Sequence, residues 1–164
     1  MRGASETTSD SAAAIQHALW RVRIIGGITV GLSPWIYMVA IILLDRLVDW
    51  QRFIEPFERI APKLMGVALA GCLLAFPAAW LLQALLARRV VSTGQETAAQ
   101  ASSLSAAGLV SLTVVHTPAV LALVYYLTSA DATRVIAMEF WAFLLYLPMQ
   151  WQVNRQIRAL DRDA

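Results

Sequence analysis

The sequence predicts an all-α membrane protein whose four transmembrane helices form two tandem helical hairpins. Three observations support this fold class. Hydrophobic residues make up 59% of the chain and charged residues only 15%, whereas soluble domains carry about a quarter charged residues. Mean hydropathy is +0.60. The charged residues leave four apolar runs between them, and two of these runs repeat motifs found in the other two.

Each apolar run predicts one membrane span, because a bilayer core about 30 Å thick takes about 20 helical residues. The predicted spans cover about 24–44, 64–86, 105–127 and 133–151. The fourth run is the shortest and contains Glu139, so it crosses the bilayer only with both of its ends at the interfaces. The polar start and the long first run are not those of a cleavable signal peptide.

The polar segments divide the chain into units. We expect a disordered N-terminal tail at 1–12, a first hairpin over 13–91, a polar cytoplasmic linker at 92–104, a second hairpin over 105–158 and a C-terminal tail at 159–164.

An internal repeat supports the two hairpins. Residues 29–34 (TVGLSP) align with 113–118 (TVVHTP), and residues 73–80 (LLAFPAAW) align with 144–151 (LLYLPMQW). Proline and tryptophan are uncommon, so two matches in the same order indicate a duplication. Both units enter and leave on one side, which predicts parallel repeats related by an axis along the membrane normal.

The two units differ in their outer loop, where the first carries an extra amphipathic segment at 45–63. Its apolar residues recur at helical spacing, so it is expected to lie in the membrane interface. The alternatives are a plain connector and a docking surface for a partner protein. Together with two tryptophans at the span ends, it supplies the predicted interfacial anchors, which are Trp50, Phe53, Phe57, Trp80 and Trp151.

The distribution of basic residues predicts the orientation, because Lys and Arg favour the cytoplasmic side. The side with both termini carries Arg21, Arg23, Arg88, Arg89, Arg155, Arg158 and Arg162. The other side carries Arg46, Arg52, Arg59, Lys63 and Arg134. Seven residues against five place both termini in the cytoplasm of a bacterial inner membrane.

Proline and glycine mark positions where the spans bend or pack. We expect helix kinks at Pro34, Pro77, Pro118 and Pro148, with Ser33 and Thr117 binding the carbonyls that the adjacent prolines leave free. The alternative for these prolines is a hinge or an ion-binding carbonyl. Small residues that allow close helix packing are Gly27, Gly31, Gly66 and Ala70, and they serve contacts within one chain or between chains.

Two ionisable residues lie inside the predicted spans, and such residues are candidates for an ion or proton site. His116 is about 16 Å from the outer end of its span and Glu139 about 9 Å, at 1.5 Å per residue. This depth difference argues against a direct hydrogen bond. The alternative is structural, with His116 bound to a hydroxyl such as that of Thr113 and Glu139 reaching the interface near Arg134.

Other chemistry is not predicted. The one cysteine and two histidines form no metal or haem site, so no cofactor is expected. No hydrolase or nucleotide-binding motif occurs, which argues against an enzyme. The basic residues lie at helix ends rather than in a patch, so nucleic acid is not an expected partner.

The segment from His116 to Val124 resembles the ion-binding helix of rotary-ATPase proteolipid ring subunits, which also occur as duplicated hairpins. The chain is also similar to small bacterial four-span membrane proteins of unassigned function. The resemblance implies a shared hairpin design. At the position of the proteolipid carboxylate, this chain has Leu32 in one copy and His116 in the other, so an ion-carrying rotor is not implied.

The sequence therefore predicts a non-enzymatic integral membrane protein whose expected partner is the lipid bilayer. Its expected role is that of a structural or accessory subunit that forms a homo-oligomer or joins a larger membrane complex. The alternatives are a small proton-coupled transporter or channel using His116 and Glu139, and a membrane enzyme subunit.

Overall fold

The computed structural model describes residues 3–47, 57, 59–92 and 96–163, and these residues form long helices. Helix α1 covers Gly3–Gly26 and continues through a π-helical segment, Gly27–Leu32, into α2 at Ser33–Leu47. Helix α3 covers Ala61–Ser92, α4 covers Thr97–Ser129 and α5 covers Ala132–Asp163. No β-strand occurs in the described part of the chain.

Four of these helical stretches are long and apolar enough to cross a membrane, which confirms the predicted number of spans. They are Ser11–Leu47, Ala61–Ser92, Thr97–Ser129 and Ala132–Leu160. We refer to α1, the π-helical segment and α2 together as the first span. The chain therefore has the architecture of a multi-pass membrane protein.

The helices extend into ranges for which the sequence predicts tails and a linker. Helix α1 begins at Gly3, α4 begins at Thr97 and α5 ends at Asp163. Helix α4, with 33 residues, is about 50 Å long at 1.5 Å per residue, well beyond a bilayer core. Packing against neighbouring helices supports two of these extensions: Leu104, in the predicted linker, and Leu160, in the predicted C-terminal tail, belong to or pack on the apolar cluster that contains Ile15 and Leu19.

Helices α4 and α5 form the centre of the bundle. The first span packs against both of them, and so does α3. Among the described residues, the two helices of the predicted first hairpin pack on this central pair rather than extensively on each other. The predicted second hairpin, in contrast, is a tightly packed helix pair.

The connection between α4 and α5 is a two-residue turn. Ala130 adopts a left-handed conformation (φ 50°), and its N–H donates to the Tyr126 carbonyl at 2.8 Å. The Asp131 carboxylate accepts a hydrogen bond from the Arg134 N–H at 3.1 Å, which satisfies one of the free donors at the start of α5. The turn holds the two central helices antiparallel.

Two apolar clusters fill the bundle and define its two ends. One cluster joins α1 to the start of α4 and the end of α5, at what we call the termini end. The other joins the end of α2 to the start of α3 and the α4–α5 turn, at the loop end. Most of the predicted amphipathic segment at 45–63, with Trp50 and Phe53, lies outside the described residues. Phe57 is described and is exposed.

Candidate functional site

Glu139 is the most unusual residue of the bundle. It lies on α5 in the loop-end half and is 0% exposed, and neither carboxylate oxygen has a hydrogen-bond partner among the described residues. The thiol of Cys72 on α3 lies close enough to this carboxyl group to interact with it electrostatically. The expected alternative, in which Glu139 reaches the interface beside Arg134, is not observed, because Arg134 pairs with Asp131 at 3.1 Å.

The contact between α3 and α5 closes the bundle beside Glu139. The indole N–H of Trp141 donates to the Cys72 carbonyl at 3.0 Å. The Trp141 ring remains partly exposed at the bundle surface. This hydrogen bond is one constraint on the rotation of α5 about its axis, and Glu139 lies on the buried side of the same helix.

His116 lies on α4 and faces the first span rather than α5. Its Nδ1 and Nε2 atoms lie 3.2 and 3.3 Å from the Ser33 hydroxyl, and its ring is 5.7 Å from the ring of Tyr37. The Ser33 hydroxyl donates to the Thr29 carbonyl at 2.8 Å. Because its one hydrogen is used there, the serine oxygen accepts a hydrogen bond from the imidazole N–H.

The structure does not join His116 to Glu139. The histidine contacts the first span, whereas the described part of the chain offers no hydrogen-bond donor to the carboxylate of Glu139. The expectation that His116 binds a hydroxyl is met, but the hydroxyl is that of Ser33. Thr113 instead donates to the Leu109 carbonyl in its own helix.

The prolines differ in what surrounds them. Helices α3, α4 and α5 each continue as one element through Pro77, Pro118 and Pro148. Of the four prolines predicted to kink a span, all within the described residues, Pro34 alone follows a π-helical segment. A proline has no N–H and its ring collides with the carbonyl four residues earlier, and one wider turn removes this collision. In the π-helical pattern the carbonyl that would pair with residue 34 is that of Thr29, five residues earlier, and the Ser33 hydroxyl donates to it at 2.8 Å, in agreement with the sequence-based prediction.

The glycines of the first span form a seat for an aromatic ring. A Cβ atom at Gly31 would lie 2.9 Å from Cε1 of Tyr146, and one at Gly27 would lie 3.6 Å from its hydroxyl. Tyr146 projects from α5 and is buried. This small face therefore receives a side chain of the same molecule.

The other predicted small face points outward. Gly66 and Ala70 on α3 are both exposed, and a Cβ atom at Gly66 would meet nothing within 4 Å among the described residues. The structure thus separates two motifs that look alike in the sequence.

A buried hydrogen-bonded network was not predicted from the sequence. The Gln83 amide N–H donates to Oε1 of Gln156 at 2.6 Å, and the Ser111 hydroxyl donates to Oε1 of Gln83 at 3.0 Å. Gln83 is 0% exposed and joins α3 to α4 and α5. An amide inside the apolar run at 64–86 was the signal, since polar side chains in such runs often link helices.

Trp80 and Trp151 are the two predicted interfacial anchors on long helices. Both are exposed, at 45% and 62%, and both line one cavity at the termini end with Arg155. They occupy equivalent positions in the repeated LLxxPxxW motif, so the motif brings two indoles to the same level of the bundle.

No protein family, curated protein or solved structure matches this chain.

Proposed function

We propose that this chain is a non-enzymatic structural or accessory subunit of a bacterial inner membrane, with both termini in the cytoplasm. In this role it associates, through α3, with a second copy of itself or with a larger membrane complex. The observation that carries the proposal is the outward-facing pair Gly66 and Ala70.

Small residues one turn apart allow two helix backbones to approach closely, and transmembrane helices associate mainly through such packing. Of the two small faces in this chain, the one on the first span is filled by Tyr146. The one on α3 is exposed, and it is surrounded by large exposed side chains such as Val67 and Leu69. A second helix seated there would bury surface that the single chain leaves open.

The proposed orientation is supported by the positive residues at the termini end. The proposed origin by duplication of a hairpin is supported by the two pairs of matching motifs. The interfacial role of the segment at 45–63 is part of this proposal.

Cysteine crosslinking in native membranes tests the association. In a Cys72→Ala background, we expect Ala70→Cys to form a disulfide-linked dimer on mild oxidation. Ala106→Cys, at an exposed position on α4, is the matched control and is expected to remain monomeric. Gly66→Leu should abolish the Ala70→Cys dimer.

Sizing of the wild-type chain in mild detergent completes this test. A larger species that Gly66→Leu reduces to a monomer supports the proposal. A wild-type chain that is strictly monomeric, with no co-purifying protein and no disulfide from Ala70→Cys, contradicts it.

A second candidate function is proton-coupled transport, and one observation favours it. A fully buried carboxyl group with no hydrogen-bond partner among the described residues is costly in a membrane, so its presence suggests that it exchanges a proton or a cation. Glu139 would carry the exchanging group. His116 would not contact it and would affect transport only by holding the first span in place.

Proton flux into proteoliposomes distinguishes this candidate from the first. Glu139→Gln should abolish flux, and His116→Leu should reduce it only as far as it loosens the first span. Ala106→Cys serves as a control for reconstitution. Absence of flux with the wild-type protein, or equal flux with Glu139→Gln, excludes this transport role for Glu139.

A further inference from the structure

A polar cavity lies at the termini end of the bundle, between α1 and α5. Its volume is about 630 Å³, and its polar lining residues are Arg23, Gln150, Asn154, Arg155 and Arg158. Trp151 forms part of the wall. Neither candidate function described above uses this cavity.

The cavity is strongly basic. Three guanidinium groups from two helices line it, and none of them forms an ion pair with a carboxylate among the described residues. The ion pair that the described residues do form, between Arg134 and Asp131, lies at the opposite end of the bundle from this cavity. Guanidinium groups bind phosphate oxygens in a bidentate manner. The Arg155 guanidinium lies 5.5 Å from the centre of the Trp151 ring, which forms part of the same cavity wall.

Amide groups accompany the three charges. Asn154 and Gln150 both line the cavity. An amide side chain both donates to and accepts from a hydroxyl group, whereas a guanidinium group only donates. An anionic phosphodiester with free hydroxyl groups therefore matches both the arginines and the amides of the lining.

Along the axis of the bundle, the cavity lies at the depth expected for a membrane interface. Adjoining cavities are lined by Trp20 together with Arg23, and by Trp80 and Trp151 together with Arg155. Tryptophan concentrates at membrane interfaces. Helix α5 rises about 28 Å over the 20 residues from Ala132 to Trp151, close to the thickness of a bilayer core. The cavity thus opens at headgroup depth when the α4–α5 turn lies at the opposite interface.

We propose that this cavity binds the headgroup of an anionic phospholipid that carries free hydroxyl groups, of the phosphatidylglycerol type. Arg23, Arg155 and Arg158 hold the phosphodiester, and the amide groups of Gln150 and Asn154 bind the headgroup hydroxyls. Bound lipid joins α1 to α5 at the end where the helices leave the membrane. The binding site is independent of the proposed subunit role and of the transport alternative.

Lipid binding to the full-length chain, delipidated in a neutral detergent, tests this site. Short-chain phosphatidylglycerol and phosphatidylcholine are titrated separately, and binding is followed by tryptophan fluorescence and by native mass spectrometry. We expect saturable binding of the first lipid and none of the second. The double substitution Arg155→Gln and Arg158→Gln should weaken the affinity for phosphatidylglycerol about 30-fold.

The matched control is Arg88→Gln with Arg89→Gln, which removes the same charge from the same end of the bundle but from α3, outside the cavity lining. It should change the affinity less than about twofold. An equal loss in both double variants would show a diffuse charge effect and overturn the site. Arg155→Lys, which keeps the charge and loses the bidentate geometry, should bind about tenfold more weakly than wild type.

Competition with soluble phosphate compounds shows whether the cavity binds a phospholipid headgroup or a free phosphate compound. Glycerophosphoglycerol and inorganic phosphate are titrated under the same conditions. Weak competition by glycerophosphoglycerol, with no effect of phosphate, supports a lipid headgroup site. Tight binding of either soluble anion without binding of the lipid would overturn the assignment to phospholipid. Failure of all of these anions to bind would overturn the site itself.

Discussion

The ring of Tyr146 lies directly against the backbone of Gly31, so that a Cβ atom there would stand 2.9 Å from Cε1. The contact joins the π-helical segment of the first span to the middle of α5. It depends on the absence of a side chain at Gly31, and the wider π-helical turn accompanies it at the same place. The contact therefore couples the first span to the central helix pair.

Gly31→Ala should destabilise the protein by about 1–3 kcal/mol, because the ring has to leave its seat in a packed interface. Unfolding in mixed micelles measures the effect. Gly27→Ala is the matched control and should be neutral or slightly stabilising, since its Cβ would lie 3.6 Å from the Tyr146 hydroxyl, an ordinary contact distance, and alanine favours the helix. Adding Tyr146→Leu to Gly31→Ala should recover part of the loss. Equal effects at the two glycines would contradict the packing described for Gly31.

Ser33→Ala should cost about 1–2 kcal/mol, because it leaves both the Thr29 carbonyl and the His116 N–H without their partner. Thr113→Val is the control, since that hydroxyl binds only a carbonyl of its own helix on an exposed face. A double-mutant cycle with His116→Leu should give a coupling energy of about 0.5–1 kcal/mol. A coupling energy of zero would show that the two side chains do not interact.

Glu139→Leu should stabilise the protein by about 1–3 kcal/mol in equilibrium unfolding, because it removes a buried carboxyl that has no hydrogen-bond partner among the described residues. Glu139→Gln should lie between wild type and Glu139→Leu. Glu96→Gln, at the exposed start of α4, should change little. If both substitutions at Glu139 lower stability, the carboxyl group has a partner in the folded protein, and the transport candidate loses its main support.

Ala130→Gly should raise stability by about 0.5–1 kcal/mol, because Ala130 is the described non-glycine residue with positive φ and glycine adopts that conformation without a Cβ penalty. Ala132→Gly, two residues later at the start of α5, should instead cost about 0.5–1 kcal/mol. Thermal unfolding of the two variants in one detergent gives the comparison. A destabilised Ala130→Gly would mean that this turn is not left-handed in solution.

The existence of four membrane-length helices was determined by the sequence, since hydropathy and length are properties of each segment by itself. The Ser33 bond to the Thr29 carbonyl was also predictable, because a serine before a proline lies beside the free carbonyl of its own helix. The tertiary structure decided the rest. It placed Gly31 against Tyr146 and left Gly66 outside, brought Ser33 rather than Thr113 to His116, and buried Glu139.

These contacts depend on the rotation of each helix about its axis and on which helices lie at the centre. In a chain apolar on nearly every face, hydropathy does not encode that rotation, because lipid and protein interior are equally apolar. Polar atoms and small residues decide it instead, since each buried polar group needs a partner and each close approach needs space.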